Sequence, residues 1–467
     1  MVFSSLFFLF VFLPLNLVLY FATTNQKIRN LILVIFSLIF YAWGEPIWVS
    51  LLIISSLIDY INGLFIEKYR GKTLAKLGIV STLIFNLGIL FTFKYSDFIV
   101  ENVNFLFGSH FSKPGFLLPI GISFYTFQTI SYTIDVYKGE VKAQKSFLNF
   151  LLFVSLFHQL VAGPIVRYSH IAHEIDNRVI SWSGFSEGIT RFCRGLFKKV
   201  ALANVAGELS APYLDGDFNN LTIAGGWFGL ILYSLQIYFD FSGYSDMAIG
   251  LGRMFGFHYH ENFKYPYISR SVSDFWRRWH ISLSTCFRDY LYIPLGGNRK
   301  FPIRNILVVW AFTGLWHGAS WNFVLWGLYF GVFLILEKYV WGNLLKKVVL
   351  PLQHLYALLL VVLGWALFYF TDLKRLSSFI EIIFGINNHH WVDDALRNNF
   401  VENSLWFCFA LITCIPIYTW VQKLMMKYFK NRIFISSINI ALNIILLISS
   451  IVLLVGSTYN PFIYFRF

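Results

Sequence analysis

Seven stretches of this chain run for 17 to 24 residues without a single Lys, Arg, Asp or Glu: 3–22, 77–93, 115–134, 146–166, 221–239, 348–371 and 433–456. A helix that crosses a bilayer needs about 20 apolar residues at 1.5 Å each. Shorter or less clean runs lie at 30–43, 48–66 and 405–421, and 305–336 is uncharged throughout. Hydrocarbon forces the backbone to satisfy its own hydrogen bonds, so runs of this length read as helices. The fold class is therefore all-α: a polytopic membrane protein with roughly ten to twelve transmembrane helices. Charged residues are 13% of the chain, against about 25% in soluble domains, and aromatics are 20%. That balance excludes a cytosolic domain, a disordered chain and a fibrous one. No repeat, low-complexity segment or soluble domain interrupts the pattern, and 1–467 reads as one membrane domain.

The net charge is +13. In a soluble chain that would suggest nucleic acid; here basic residues gather at cytoplasmic loops and the anionic leaflet, and no nucleic acid is expected. Lys27 and Arg29 follow the first span, and Lys68, Arg70, Lys72 and Lys76 follow the third, whereas the loop between the second and third holds only Glu45. This places the N-terminus outside the cytoplasm. The first run lacks a basic leader region and a small-residue cleavage site, and is expected to stay as a span. Arg191, Arg194, Lys198 and Lys199 suggest a helix on the membrane surface. Cys193, Cys286, Cys408 and Cys414 have no metal or disulfide spacing.

Residues 253–300 carry eight basic and three acidic side chains. Within them 273–292 is predicted as one amphipathic helix, because Phe275, Trp279, Leu283, Phe287 and Leu291 recur every four residues. Arg277 and Arg288 fall on the opposite face, which suits either interfacial anchoring or an anionic donor. His280 sits on the flank of the stripe, and spacing alone leaves it structural or catalytic.

The run 305–336 would reach about 48 Å as one helix, too long for a bilayer of about 30 Å and too short for two full spans. A break or re-entry is expected at TGLWHGASW (313–321), where Gly314 and Gly318 loosen the helix. Non-helical backbone at membrane depth belongs inside protein or along a watery cavity. His317 lies at that break, and an ionisable group there is a functional candidate. A neutral imidazole can take a proton from a hydroxyl that attacks an acyl carbonyl, which is general-base acyl transfer. Trp316 and Trp321 would restrict water, and Asn322 is a further candidate for the lining. No GxSxG, HExxH or Walker loop competes, and no metal site is expected. Asp240 and Asp246, in QIYFDFSGYSDMAIG, either line a path or hold polar contacts at a span's end.

FWRRWHISLSTCFRDYLYIPLGGNR (275–299) and TGLWHGASWNFVLWG (313–327) resemble the membrane-bound O-acyltransferases, in particular the bacterial branch that O-acetylates alginate and peptidoglycan. LPIGISFYTFQTISYTIDVYKG (118–139), LVAGPI (160–165) and YFDFSGYSDMAIG (238–250) resemble the same branch. The likeness covers about 1–340 and returns in the C-terminal spans and tail, within 348–467. Cys286 stands where relatives carry a tryptophan. The resemblance implies a funnel built of spans, re-entrant segments and interfacial helices. It implies His317 and His280 as the catalytic histidines and Arg277, Arg278 and Arg288 as contacts to donor phosphates. The expected donor is acetyl-CoA, a cosubstrate rather than a bound cofactor. The expected acceptor is a polysaccharide of the cell envelope, with peptidoglycan slightly ahead of alginate-like polymers. The implied setting is the bacterial inner membrane, with an esterase-like periplasmic transferase as partner. The tail PFIYFRF (461–467) also resembles relatives; its one hydroxyl, Tyr464, is either an acyl relay or an interfacial anchor. Alternatives are a teichoic-acid D-alanyl or lipid acyltransferase, and a transporter that does no chemistry.

Overall fold

The computed structural model describes residues 1–467 except 161–162, 387–388, 430, 458–459, 461, 464–467 and the Arg432 side chain. Among the described residues every regular element is helical. Among the described residues, five helices are long and apolar enough to cross a membrane: Val49–Lys68, Ala75–Phe107, Trp321–Leu345, Leu350–Tyr369 and Ile433–Gly456. Ser404–Thr413 and Ile417–Tyr428, bent by 71°, count together as a sixth, broken span. The expectation of ten to twelve came from apolar runs, and several of these are interrupted. The first holds a π-helical turn, Phe8–Phe12, before Leu13–Phe21. The run 146–166 stops at Leu156, after the helix Phe147–Ser155, and 115–134 becomes helical only at Ile122.

The chain forms two compact units, Met1–Phe192 with Tyr244–Glu261, and Cys193–Gly243 with Asn262–Phe467. Lipid tails are as apolar as leucine, so membrane helices draw on buried polar contacts to hold together. The first unit shows this. Asn86 donates to the buried Asp59 carboxylate at 2.8 Å. Tyr20 donates to the Phe255 carbonyl at 2.8 Å, and Arg178 reaches Tyr20 at 3.0 Å and Asn30 at 2.7 Å. In the same unit Arg191, from the basic run, binds Asp246 at 2.8 Å and also pairs with Glu261, joining separate elements of the protein.

The second unit is organised by a helical hairpin. The uncharged run 305–336 does break, into Pro302–His317 and Trp321–Leu336. The two arms pack closely because their contact points are glycines: a Cβ on Gly314 would stand 2.1 Å from the Phe323 carbonyl oxygen, and one on Gly318 2.2 Å from the Phe323 ring. Around the hairpin lies an aromatic cluster that includes Trp276, Trp279, Trp326, Trp365 and Phe368.

The single amphipathic helix expected over 273–292 is also corrected. Val272–Trp276 and Ile281–Phe287 are separate helices, followed by a π-helical turn, Arg288–Tyr292. The chain turns on His280, which adopts φ 44° and ψ 54°, a left-handed conformation that non-glycine residues rarely hold. Asn262 fixes the break from outside the segment. Its carbonyl accepts from the Ile281 amide at 3.0 Å, and its side-chain oxygen accepts from the Ser282 amide at 3.1 Å.

Candidate active site

His317 is the last residue of the hairpin's first arm, and Gly318 caps it with extended backbone. Its imidazole is only 6% exposed. Among the described residues, Trp316 and Trp326 pack on it at 5.0 Å and Phe368 at 5.1 Å between centroids. The ring therefore lies inside protein rather than against hydrocarbon. Trp316 also packs edge-on against His280, at 6.0 Å, so the two histidines flank one indole.

His280, between the spanning helices, is 3% exposed. Its Nδ1 has no hydrogen-bond partner among the described residues. Burial pulls its pKa from 6.5 down to about 3, because the apolar surroundings penalise the imidazolium. The folded state thus refuses a proton that the unfolded chain takes up below pH 6.5. Stability from this group is complete above 6.5 and drains away as pH falls, by about 2 kcal/mol at pH 5. Thermal melts at pH 7.5 and 5.0 should show a smaller acid-induced fall in Tm for His280→Asn than for the wild type. Asparagine tolerates the left-handed backbone, so this variant isolates the titration.

A cavity of about 950 Å³ lies along the same segments, and neither His280 nor His317 is among its described lining residues. Arg270, Arg277, Arg288, Lys338 and Lys346 line it, against two acids, Asp274 and Glu337. Both acids are committed. Asp274 binds Arg278 at 2.9 Å. Glu337, 7% exposed, accepts from the amides of Val272 at 2.6 Å and Ser273 at 2.8 Å and from the Ser273 hydroxyl at 2.6 Å. One carboxylate at the foot of a span thereby fixes the short helix that presents Trp276 and, just beyond it, Arg277. The cavity is left cationic over an aromatic floor of Trp276 and Trp310. It reaches Thr313, four residues and about 6 Å along the helix axis before His317.

The other sequence candidates are placed as follows. Arg277 and Arg288 line the cavity, Arg288 also pairing with Asp289 at 2.6 Å, whereas Arg278 is turned away onto Asp274 and the Lys264 carbonyl. Trp316 is buried but Trp321 is 51% exposed, so only the former walls the histidines. Asn322 is fully buried and donates to the Leu367 carbonyl at 3.1 Å, joining the hairpin to the helix that carries Phe368. Asp246 pairs with Arg191 in the first unit. Asp240 belongs to the second and pairs with Lys199 at 2.7 Å. Tyr464 lies outside the described residues. Sequence reasoning missed Glu337, which sits at the end of an apolar run with nothing nearby in sequence to mark its long-range contacts.

The site thus pairs a buried histidine at the turn of an apolar helical hairpin with a cationic cavity one helical turn away. The family model described as MBOAT, membrane-bound O-acyltransferase family, matches residues 140–380. The chain is 43% identical over 378 residues to the "Probable alginate O-acetylase AlgI" of Azotobacter vinelandii, covering 79% of this chain and 75% of that protein. It is 38% identical over 503 residues to the protein of the same name in Pseudomonas putida, covering all of both. It is 34% identical over 428 residues to a "Peptidoglycan O-acetyltransferase" of Helicobacter pylori, covering 83% and 80%. This chain belongs to the membrane-bound O-acyltransferase family, and it is an O-acyltransferase enzyme of the bacterial O-acetyltransferase branch. The transporter alternative falls with that membership.

Proposed function

We propose that this enzyme moves an acetyl group from cytoplasmic acetyl-CoA across the bacterial inner membrane, for O-acetylation of an envelope polysaccharide. The observation that carries the reading is His317, buried at the hairpin break one helical turn beyond a cationic cavity. The cavity suits the phosphates of the donor, with Arg277 and Arg288 as the charged contacts. At the histidine, the neutral imidazole takes the proton of the attacking hydroxyl as the new O–C bond forms. The C–S bond then breaks, and the leaving thiolate recovers the proton. The closer similarity to alginate O-acetylases puts an alginate-like polymer ahead of peptidoglycan as acceptor. The basic first and third loops support an extracytoplasmic N-terminus. An esterase-like periplasmic transferase completes the reaction, and a D-alanyl carrier thioester is the alternative donor.

The test is transfer in proteoliposomes, with acetyl-CoA on one face and an oligosaccharide acceptor with the periplasmic transferase on the other. Acetyl transfer lost in His317→Ala supports the reading. Activity with a carrier-protein thioester but none with acetyl-CoA would shift it to the alternative. Tyr464 supplies the intermediate acceptor in this scheme, its phenol needing a base because its ordinary pKa is about 10. Tyr464→Phe is accordingly expected to lower polysaccharide acetylation at least tenfold, read as the mass shift of the glycan. Full acetylation in that variant would leave Tyr464 as an interfacial anchor.

A further inference from the structure

The motif YFDFSGYSD (238–246) recurs in neither the cavity nor the wall of His317, yet it includes a fully buried carboxylate. Asp240 is 0% exposed, in the middle of the long helix Ile223–Met254. A carboxylate there must be compensated. Lys199 does so through one oxygen, at 2.7 Å, its own side chain only 3% exposed. The other oxygen accepts the backbone N–H of Ile463 at 2.8 Å, from 223 residues further along the chain. Two more contacts seat the same segment. Asn204 donates to the Asn460 side chain at 3.2 Å, and Phe462 packs on Phe241, the neighbour of Asp240, at 6.2 Å. Phe462 and Ile463 are 5% and 4% exposed. Ile463 joins the hydrophobic cluster that holds Trp326 and Phe368, two of the rings around His317.

We propose that the Lys199–Asp240 pair is a tether for the segment that carries Phe462 and Ile463, and that Asp240 is a positioning residue for acyl transfer. The lysine supplies charge balance so that the carboxylate remains an acceptor at zero exposure. The carboxylate's second oxygen then holds the backbone amide immediately before Tyr464 in sequence. The activity readout rests on the relay assigned to Tyr464 above; the tether itself does not.

Two double variants separate the roles, because neither leaves a buried charge unpaired. Lys199→Met with Asp240→Asn keeps an oxygen that can accept from Ile463. Lys199→Met with Asp240→Leu removes it. In detergent-purified protein, carboxypeptidase should trim past Ile463 at least tenfold faster in the Leu variant, while the Asn variant stays protected. Acetyl transfer should fall at least tenfold in the Leu variant and stay within threefold of wild type in the Asn variant. Should the Leu variant not fold, Ile463→Pro removes the donor instead and is expected to give the same faster trimming. Equal protection in both double variants, or equal loss in both, overturns the tether. Faster trimming with unchanged transfer keeps the tether and removes its catalytic role, which tells against the relay instead.

Discussion

His317→Ala should lower acetyl transfer by about 10²–10⁴-fold, the usual contribution of a positioned general base, while donor binding persists. The imidazole is walled by Trp316, Trp326 and Phe368, so truncation leaves a hole among rings and also costs stability. His317→Gln controls for this by restoring volume without a base of suitable pKa. The expected outcome is a glutamine variant with a Tm near wild type, normal retention of a donor analogue and the same lost turnover. If the glutamine variant folds and turns over at the wild-type rate, proton transfer does not pass through His317. A purely structural histidine would show the reverse pattern, with Tm falling and turnover per folded molecule unchanged.

The hairpin break was legible because length and glycines agreed: 32 uncharged residues exceed one span, and Gly314 and Gly318 mark the place. Burial then follows from the requirement that irregular backbone avoid lipid. The break at His280 was not legible. The apolar stripe from Phe275 to Leu291 keeps its four-residue spacing straight through it. What overrides the periodicity is Asn262, whose two oxygens take the amides of Ile281 and Ser282, a contact no local pattern announces. Lys199 misled for a related reason. Beside Arg191, Arg194 and Lys198 it looks like part of a surface patch, and only its partner Asp240, 41 residues away, shows that it is interior. Arg278 and Arg277 are adjacent in sequence, and the choice between them depends on Asp274, which draws Arg278 out of the cavity. Sequence thus located the chemistry, while long-range polar contacts decided which neighbour serves it.

Replacing Arg277 and Arg288 together with alanine should raise the KM for acetyl-CoA by about 5- to 30-fold and leave kcat within threefold. A charge-assisted hydrogen bond is worth about 1.5–3 kcal/mol, but both side chains are solvent-exposed, Arg288 at 60%, and exposed charges are screened toward 1 kcal/mol or less. At about 1 kcal/mol each, that range allows roughly fivefold per arginine and about 30-fold for the pair. Because the contacts are electrostatic, the wild-type KM should rise with ionic strength while the double variant responds much less. Arg278→Ala behaves differently: Arg288 pairs with Asp289 yet lines the cavity, whereas Arg278 sits outside the lining on Asp274 and the Lys264 carbonyl, so its loss bears on the fold of the 272–280 turn before it bears on KM. Acetyl-dephospho-CoA gives the sharper discrimination. If the two arginines read donor phosphates, removing the 3′-phosphate from the donor and removing the arginines from the protein will be less than additive, since each deletes the same interaction. Strict additivity would place the arginines away from the donor's 3′-phosphate and leave its diphosphate as the group they could meet.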